Sequence, residues 1–155
     1  MKKDEHFEPE GELGRDSAAV VSLFESREGD LWVGTTTGLS QLKAGKLVWS
    51  AGKEKLAFPD VRAIAQSPDG TIWFGMLGGG LGCYHGELKQ FRKRDGLISD
   101  FVQCLLAEPD GSLWMGTAEN GLARLKNGKF TDVGARQGLS DRSITHLVDD
   151  GVGNR

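Results

Sequence analysis

The chain has 155 residues and carries 19 Lys+Arg against 22 Asp+Glu, a formal net charge of −3. With 38% hydrophobic and 26% charged residues it is composed like a globular protein, which excludes a disordered polar chain. No uncharged run approaches the roughly 18 apolar residues of a membrane helix, and the mild negative charge argues against a general nucleic-acid binder.

Glycine is the outlier. There are 23 Gly but only 4 Pro, which points to many tight turns and hence many short strands, not to a linker or a collagen. The start, Met1-Lys2-Lys3, has the charge of a signal-peptide head. Asp4, Glu5, His6, Glu8 and Glu10 then stand where an apolar stretch should be, so no signal peptide is expected. Residues 5–10, around Phe7, are expected to form an outer strand.

A repeat follows. Gly29-Asp30-Leu31-Trp32-Val33-Gly34-Thr35 returns as Gly70-Thr71-Ile72-Trp73-Phe74-Gly75-Met76 and as Gly111-Ser112-Leu113-Trp114-Met115-Gly116-Thr117, at intervals of 41 residues. A fourth copy starts at Gly153-Asn154. Each motif is preceded by an apolar segment: Val20–Phe24, Val61–Ala65, Phe101–Leu106 and Ile144–Val148. Each of the three full copies is followed by a Gly-Leu turn at Gly38, Gly80 or Gly121, then a second glycine turn at Gly45, Gly86 or Gly128. The unit reads as four short strands in a meander. Its first hairpin is marked by Pro68-Asp69-Gly70 and Pro109-Asp110-Gly111, where Pro presets φ, Asp bonds nearby backbone and Gly takes φ > 0. Helical periodicity is nearly absent.

Four strands in about 41 residues is the arithmetic of a propeller blade. The predicted fold is therefore an all-β propeller of four-stranded antiparallel blades, about 3.5 of them in this chain. Blades are expected at 19–50, 60–92 and 101–132, with an incomplete blade at 143–155. The repeated Trp would be the wedge between blades.

At these residues the sequence resembles the two-component regulator propeller repeat. The matching pattern is an apolar strand, Asp-Gly-x-Leu-Trp-x-Gly-Thr, Gly-Leu, and Asp-Gly-Leu-x-Ser, best seen at Asp110–Thr117, Gly121-Leu122 and Asp95–Asp100. The resemblance spans about residues 14 to 153. It implies a periplasmic, non-catalytic, ligand-sensing module of a bacterial two-component regulator, with a glycan or peptide as signal and no cofactor. Neither a kinase motif nor a membrane helix is present in the sequence, so no membrane contact is expected from this chain. Since 3.5 blades do not close a ring, the expected partner is a second copy, with a dimer favoured, or the rest of a larger propeller. A structural self-assembling fragment without a small ligand is the alternative reading. A streptogramin-lyase-like enzyme is another, because that family shares the Asp-Gly-x-x-Trp-Phe pattern seen at Asp69–Phe74.

In propellers the turn between strands two and three and the link to the next blade share the upper face. That places the candidate ligand-binding residues at Thr35, Thr37, Met76, Thr117, Glu119 and Asn120 in the turns. It places Ser99, Asp100, Asp141 and Arg142 in the links. Arg62 and Gln103, early in a first strand, would line the channel. Trp49 breaks the repeat and is expected to be exposed. Arg92-Lys93-Arg94 reads as a solvated outer-strand edge. His6, His85 and His146 have no metal-ligand spacing, so no metal is expected. Cys83 and Cys104 read as core residues without a mutual disulfide.

Overall fold

The computed structural model describes residues 19–118 and 121–133. They form three four-stranded antiparallel sheets. The first holds β1 (Val20–Glu25), β2 (Leu31–Thr35), β3 (Gly38–Lys43) and β4 (Lys46–Ala51). The second holds β5 (Val61–Gln66), β6 (Ile72–Met76), β7 (Gly80–Tyr84) and β8 (Leu88–Phe91), and the third holds β9 (Val102–Ala107), β10 (Leu113–Thr117), β11 (Leu122–Lys126) and β12 (Lys129–Asp132). Each sheet is a meander in which every strand pairs with its sequence neighbour, as in a propeller blade. Among the described residues the only helical piece is a 3₁₀ turn at Lys93–Asp95. The fourth copy of the motif, residues 5–10 and residues 143–155 lie outside the described residues.

The turns follow from the sequence chemistry. At the first hairpin of each sheet, Gly29, Gly70 and Gly111 adopt φ of +91°, +95° and +94°. Asp69 accepts from the Ser67 hydroxyl at 2.6 Å and from the Thr71 backbone N–H at 3.0 Å. Asp110 accepts from the Ser112 N–H at 2.8 Å. These are Asx turns, and they close the hairpins of the second and third sheets in the same register.

A register shift recurs in the first strand of every sheet. Val20 pairs with Thr35 and Ser22 with Gly34; Val61 pairs with Met76 and Ala63 with Gly75; Val102 pairs with Thr117 and Cys104 with Gly116. The residue skipped each time is Val21, Arg62 or Gln103. A bulge of this kind re-aims a side chain, which is why Arg62 is exposed while its neighbour Val61 is buried.

Packing between sheets forms two cores. The first joins Trp32, Leu39 and Ala51 to Val61, Ile72, Phe74 and Met76. The second joins Ala65 and Leu81 to Val102, Leu113, Met115 and Leu125. Trp32 is a buried wedge, and Trp73 and Trp114 are half-buried with their indole N–H donated to Ser67 Oγ (3.2 Å) and Glu108 Oε1 (2.9 Å). Trp49 departs from expectation: it is half-buried, stacked on Tyr84 with ring centroids 4.2 Å apart, and 5.9 Å from Trp32. A bulge in β4 between Leu47 and Trp49 turns the ring inward over the junction. Cys83 and Cys104 are buried free thiols. Burial pushes both thiols up, Cys104 to about 11.

Candidate functional site

The connections divide between two edges. The lower edge carries the β1–β2 and β3–β4 turns and their equivalents. The upper edge carries the β2–β3 type turns and the links from one sheet to the next. Two grooves open on the lower edge, of about 480 Å³ beside Trp73, Asp110 and Lys126, and of about 260 Å³ beside Trp32, Asp69 and His85. Their lining residues occupy matching repeat positions in successive junctions. The grooves are thus a product of blade stacking and appear wherever two blades meet.

The upper edge does not repeat. After β4 the chain folds back so that Leu56 is buried in the first core. Gln90 of β8 then clamps the link, accepting from the Ala57 N–H (3.0 Å) and donating to the carbonyls of Ala57 and Gly79 (both 2.8 Å). The next residue, Phe58, is held at φ +49° and is 64% exposed. A bulky side chain in the left-handed region is strained, and such strain concentrates where a residue must be displayed. Pro59 follows, and the Asp60 carbonyl accepts from the Leu77 N–H at 3.0 Å.

Phe101, 41% exposed, stands across the β6–β7 turn from Phe58. Gly78 lies between them: a Cβ there would fall 3.7 Å from Phe58 Cγ and 3.8 Å from Phe101 Cε1. The turn is pinned from below, because the Asp100 carbonyl accepts from the N–H groups of Gly78 (2.9 Å) and Gly80 (2.7 Å). Arg92 reaches under this turn. It donates to the Gly78 carbonyl at 3.0 Å, approaches Asp100 Oδ2 at 3.4 Å, and places its guanidinium 5.2 Å from the Phe58 ring centroid. Arg62 lies nearby in a bidentate pair with Asp60, at 2.9 and 3.0 Å. Both arginines face a carboxylate, so the patch is an aromatic surface without net charge.

The structure brings some candidate residues to this edge and withdraws others. Arg62 and Asp100 lie beside the aromatic patch, Thr37 is exposed in the β2–β3 turn, and Gln103 is half-buried in β9. Four candidates are off the surface. Thr35 and Thr117 are buried because their hydroxyls close their own turns on the carbonyls of Gly38 (3.3 Å) and Gly121 (2.8 Å). Ser99 is buried with its Oγ accepting from the Phe101 N–H at 3.0 Å, and Met76 is a core residue of the first junction. Glu119, Asn120, Asp141 and Arg142 lie outside the described residues. Arg92 leaves the strand edge expected of it and caps the 3₁₀ turn, its N–H donated to Asp95 Oδ2 at 2.9 Å. Phe58, Gly78, Arg92 and Phe101 are not among the site residues expected from the sequence. The visible signals were an aromatic residue before Pro59 in a link, and another after Ser99-Asp100. His85 bonds Thr71 Oγ1 through Nδ1 at 3.2 Å on the lower edge, away from these rings. Among the described residues no group of His, Cys, Asp and Glu is placed to hold a metal, and no helix is long and apolar enough to cross a membrane.

The fold is a β-propeller of stacked four-stranded blades, and the comparisons with known proteins agree on it. Residues 14–37 and 96–119 match the two component regulator propeller family, so these segments are repeats of that family. Among solved structures, the extracellular domain of a hybrid two component system from B. thetaiotaomicron is similar at 25% identity with a TM-score of 0.64, over 77% of this chain and 18% of that one. A catalytically inactive virginiamycin B lyase from Staphylococcus aureus, solved with quinupristin, superposes with a TM-score of 0.64 at 20% identity, over 77% of this chain and 42% of the lyase. This second likeness shows the fold alone. No curated protein matches the sequence. The chain spans less than half the length of either structure.

Proposed function

We propose that this chain is a sensing module of a bacterial two-component regulator, working outside the cytoplasmic membrane, and that it acts by binding a neutral carbohydrate on its upper edge. The observation that carries the reading is the pair of exposed rings, Phe58 and Phe101, flanking Gly78. A pyranose presents C–H groups on one face and hydroxyls around its rim. An aromatic face, negative at its centre, suits those C–H groups, while the peptide groups and paired side chains around it suit the hydroxyls. Asp60 and Asp100 balance Arg62 and Arg92, which favours a neutral ligand over an anionic one. The family repeats and the likeness to a sensor's extracellular domain support the sensing role and the location.

The test is titration calorimetry against a panel of neutral oligosaccharides. A hit is expected to weaken at least tenfold in Phe58→Ala and in Phe101→Ala, with His85→Ala unchanged. A panel without any binder, or a binder indifferent to both phenylalanines, overturns the reading. Loss of binding on His85→Ala with product formation would favour the lyase-like alternative instead.

A further inference from the structure

Stacking makes both grooves of the lower edge, but it does not fill them equally. At the first junction Arg27, in the β1–β2 turn, reaches across to the next sheet and donates to the carbonyls of Ser67 (2.9 Å) and Pro68 (3.0 Å). Its side chain closes the gap between the two turns, and neither Arg27 nor Pro68 lines the 260 Å³ groove that remains. In the second sheet Pro68 stands in Arg27's place, two residues before the hairpin glycine. It has no donor to send across. At the second junction the gap stays open, Pro68 and Pro109 both line it, and the groove reaches about 480 Å³. The Pro109 carbonyl is the counterpart of the Pro68 carbonyl, and no donor among the described residues bonds it.

The wall of the open groove repeats the contrast. Trp73 lines it and is half-buried. In the third sheet the residue paired across from the equivalent Trp114 is Arg124, whose guanidinium lies 5.5 Å from the ring centroid. Cys83 is paired across from Trp73, so the second sheet brings no cation to that ring. The rim is acidic. Asp110 is paired with Lys126 at 3.1 Å, whereas Asp69 has no Lys or Arg partner among the described residues.

We propose that the groove between the second and third sheets binds the guanidinium of an arginine on a partner polypeptide. The molecule seats its own guanidinium groups in both of the ways that this groove leaves open, against turn carbonyls as Arg27 and over a blade tryptophan as Arg124. A guanidinium donates in its plane while its face rests on a ring, which a compact ammonium does not match. Asp69 and Asp110 against Lys126 leave the rim one charge negative, complementary to the ligand. The same charges disfavour free arginine, whose carboxylate would face them; in a polypeptide that group is an amide. The flanking segments of this chain join from the other side. The Ala19 carbonyl accepts from Thr36 and the Val133 N–H is donated to Leu122, so both ends of the described residues lie on the upper edge. That favours an arginine supplied by another molecule. The site shares no residue with the carbohydrate reading.

NMR titration of the isotope-labelled full chain tests it. The probe is an end-blocked peptide of small neutral residues with one central arginine. The readout is the Trp73 indole N–H, identified by its loss in Trp73→Phe. That signal should move saturably, and the same peptide with lysine should bind at least fivefold more weakly. Pro68→Arg supplies within the chain the side chain that the first sheet already has, so it should abolish the response, while Pro68→Ala keeps it. Asp69→Asn should weaken binding at least threefold, and it tests the site independently of any disturbance of the turn by Pro68→Arg; circular dichroism checks that each variant is folded. No saturable shift at millimolar peptide overturns the proposal, and is the result expected if a flanking segment of the chain fills the groove. It is also overturned if the lysine peptide binds as tightly, or if a folded Pro68→Arg or Asp69→Asn chain binds the arginine peptide undiminished.

Discussion

The lower and upper edges of the blades use the same kind of short connection to opposite ends. On the lower edge, turns are alike from sheet to sheet and are tied to one another. Arg27 donates to the carbonyls of Ser67 (2.9 Å) and Pro68 (3.0 Å) in the next blade, and Gln66 bridges back, accepting from the Arg27 N–H (2.9 Å) and donating to Glu28 (3.0 Å). On the upper edge, each link is anchored by one buried leucine, Leu56 or Leu97, and otherwise differs. The hydrogen bonds there hold two phenylalanines outward where the lower edge holds its polar groups together. A repeat can vary only where variation does not break the stacking of blades, and in this chain that place is the upper edge.

Glycine substitutions should separate the two edges most sharply. A Cβ at Gly79 would lie 2.5 Å from the Phe58 carbonyl and 2.6 Å from that of Ala57. These are backbone atoms of a clamped link, so Gly79→Ala should cost about 1–3 kcal/mol, as overpacking does, and should displace Phe58. On the lower edge a Cβ at Gly111 meets nothing within 4 Å. There Gly111→Ala bears only the positive φ, about 1–2 kcal/mol. Urea melts of the two variants read the difference. Equal losses, or a Gly79→Ala protein that keeps full ligand binding, would break the distinction.

The Asx turns make a smaller, pH-dependent contribution. The Ser112 N–H, aided by Lys126, holds the Asp110 carboxyl down at about 2, against an ordinary value of 3.8. The Ser67 hydroxyl and the Thr71 N–H lower Asp69 in the same direction. A depressed carboxyl stabilises the fold above its unfolded value and loses that contribution as pH falls through the folded one. The parent should therefore lose stability relative to Asp110→Asn between about pH 4 and pH 2, and the gap between them should be constant from pH 5 to 8. A gap that does not change on acidification would mean that the turn does not depend on the ionised carboxylate.

How much of this was legible follows from the repeat. Three copies of one motif at constant spacing expose which positions are common, and common positions are those that stacking and the turns require: the Trp wedge and the hairpin glycine. Their roles could be read because each has a local physical cause. The upper edge could not be read the same way. Thr35, Thr117 and Ser99 look like ligand hydroxyls in sequence, but their oxygens are spent on backbone two to four residues away. Met76 sits at a turn position held by Thr in the other sheets, and only the packing of the first junction shows why an apolar side chain suits it. The display of Phe58 depends on Gln90, 32 residues further along, clamping the adjoining Ala57 backbone. No spacing in the sequence announces such a contact.

Phe58 itself supplies the smallest expected effect on stability and the clearest separation of display from support. Its left-handed backbone is a cost to the folded chain, and Asn tolerates that region better. Against this, Phe58→Asn gives up the contact with the Arg92 guanidinium, about 0.5–1 kcal/mol at an exposed site. The two effects are of similar size and opposite sign, so the variant should melt within about 0.5 kcal/mol of the parent. A residue kept for packing would behave otherwise, because truncating a buried aromatic costs about 3–5 kcal/mol. If Phe58→Asn is neutral for stability yet abolishes carbohydrate binding, the strain at this position serves the surface and not the core. If it destabilises the blade by several kcal/mol, the upper edge is built for support as the lower one is, and the contrast between them fails.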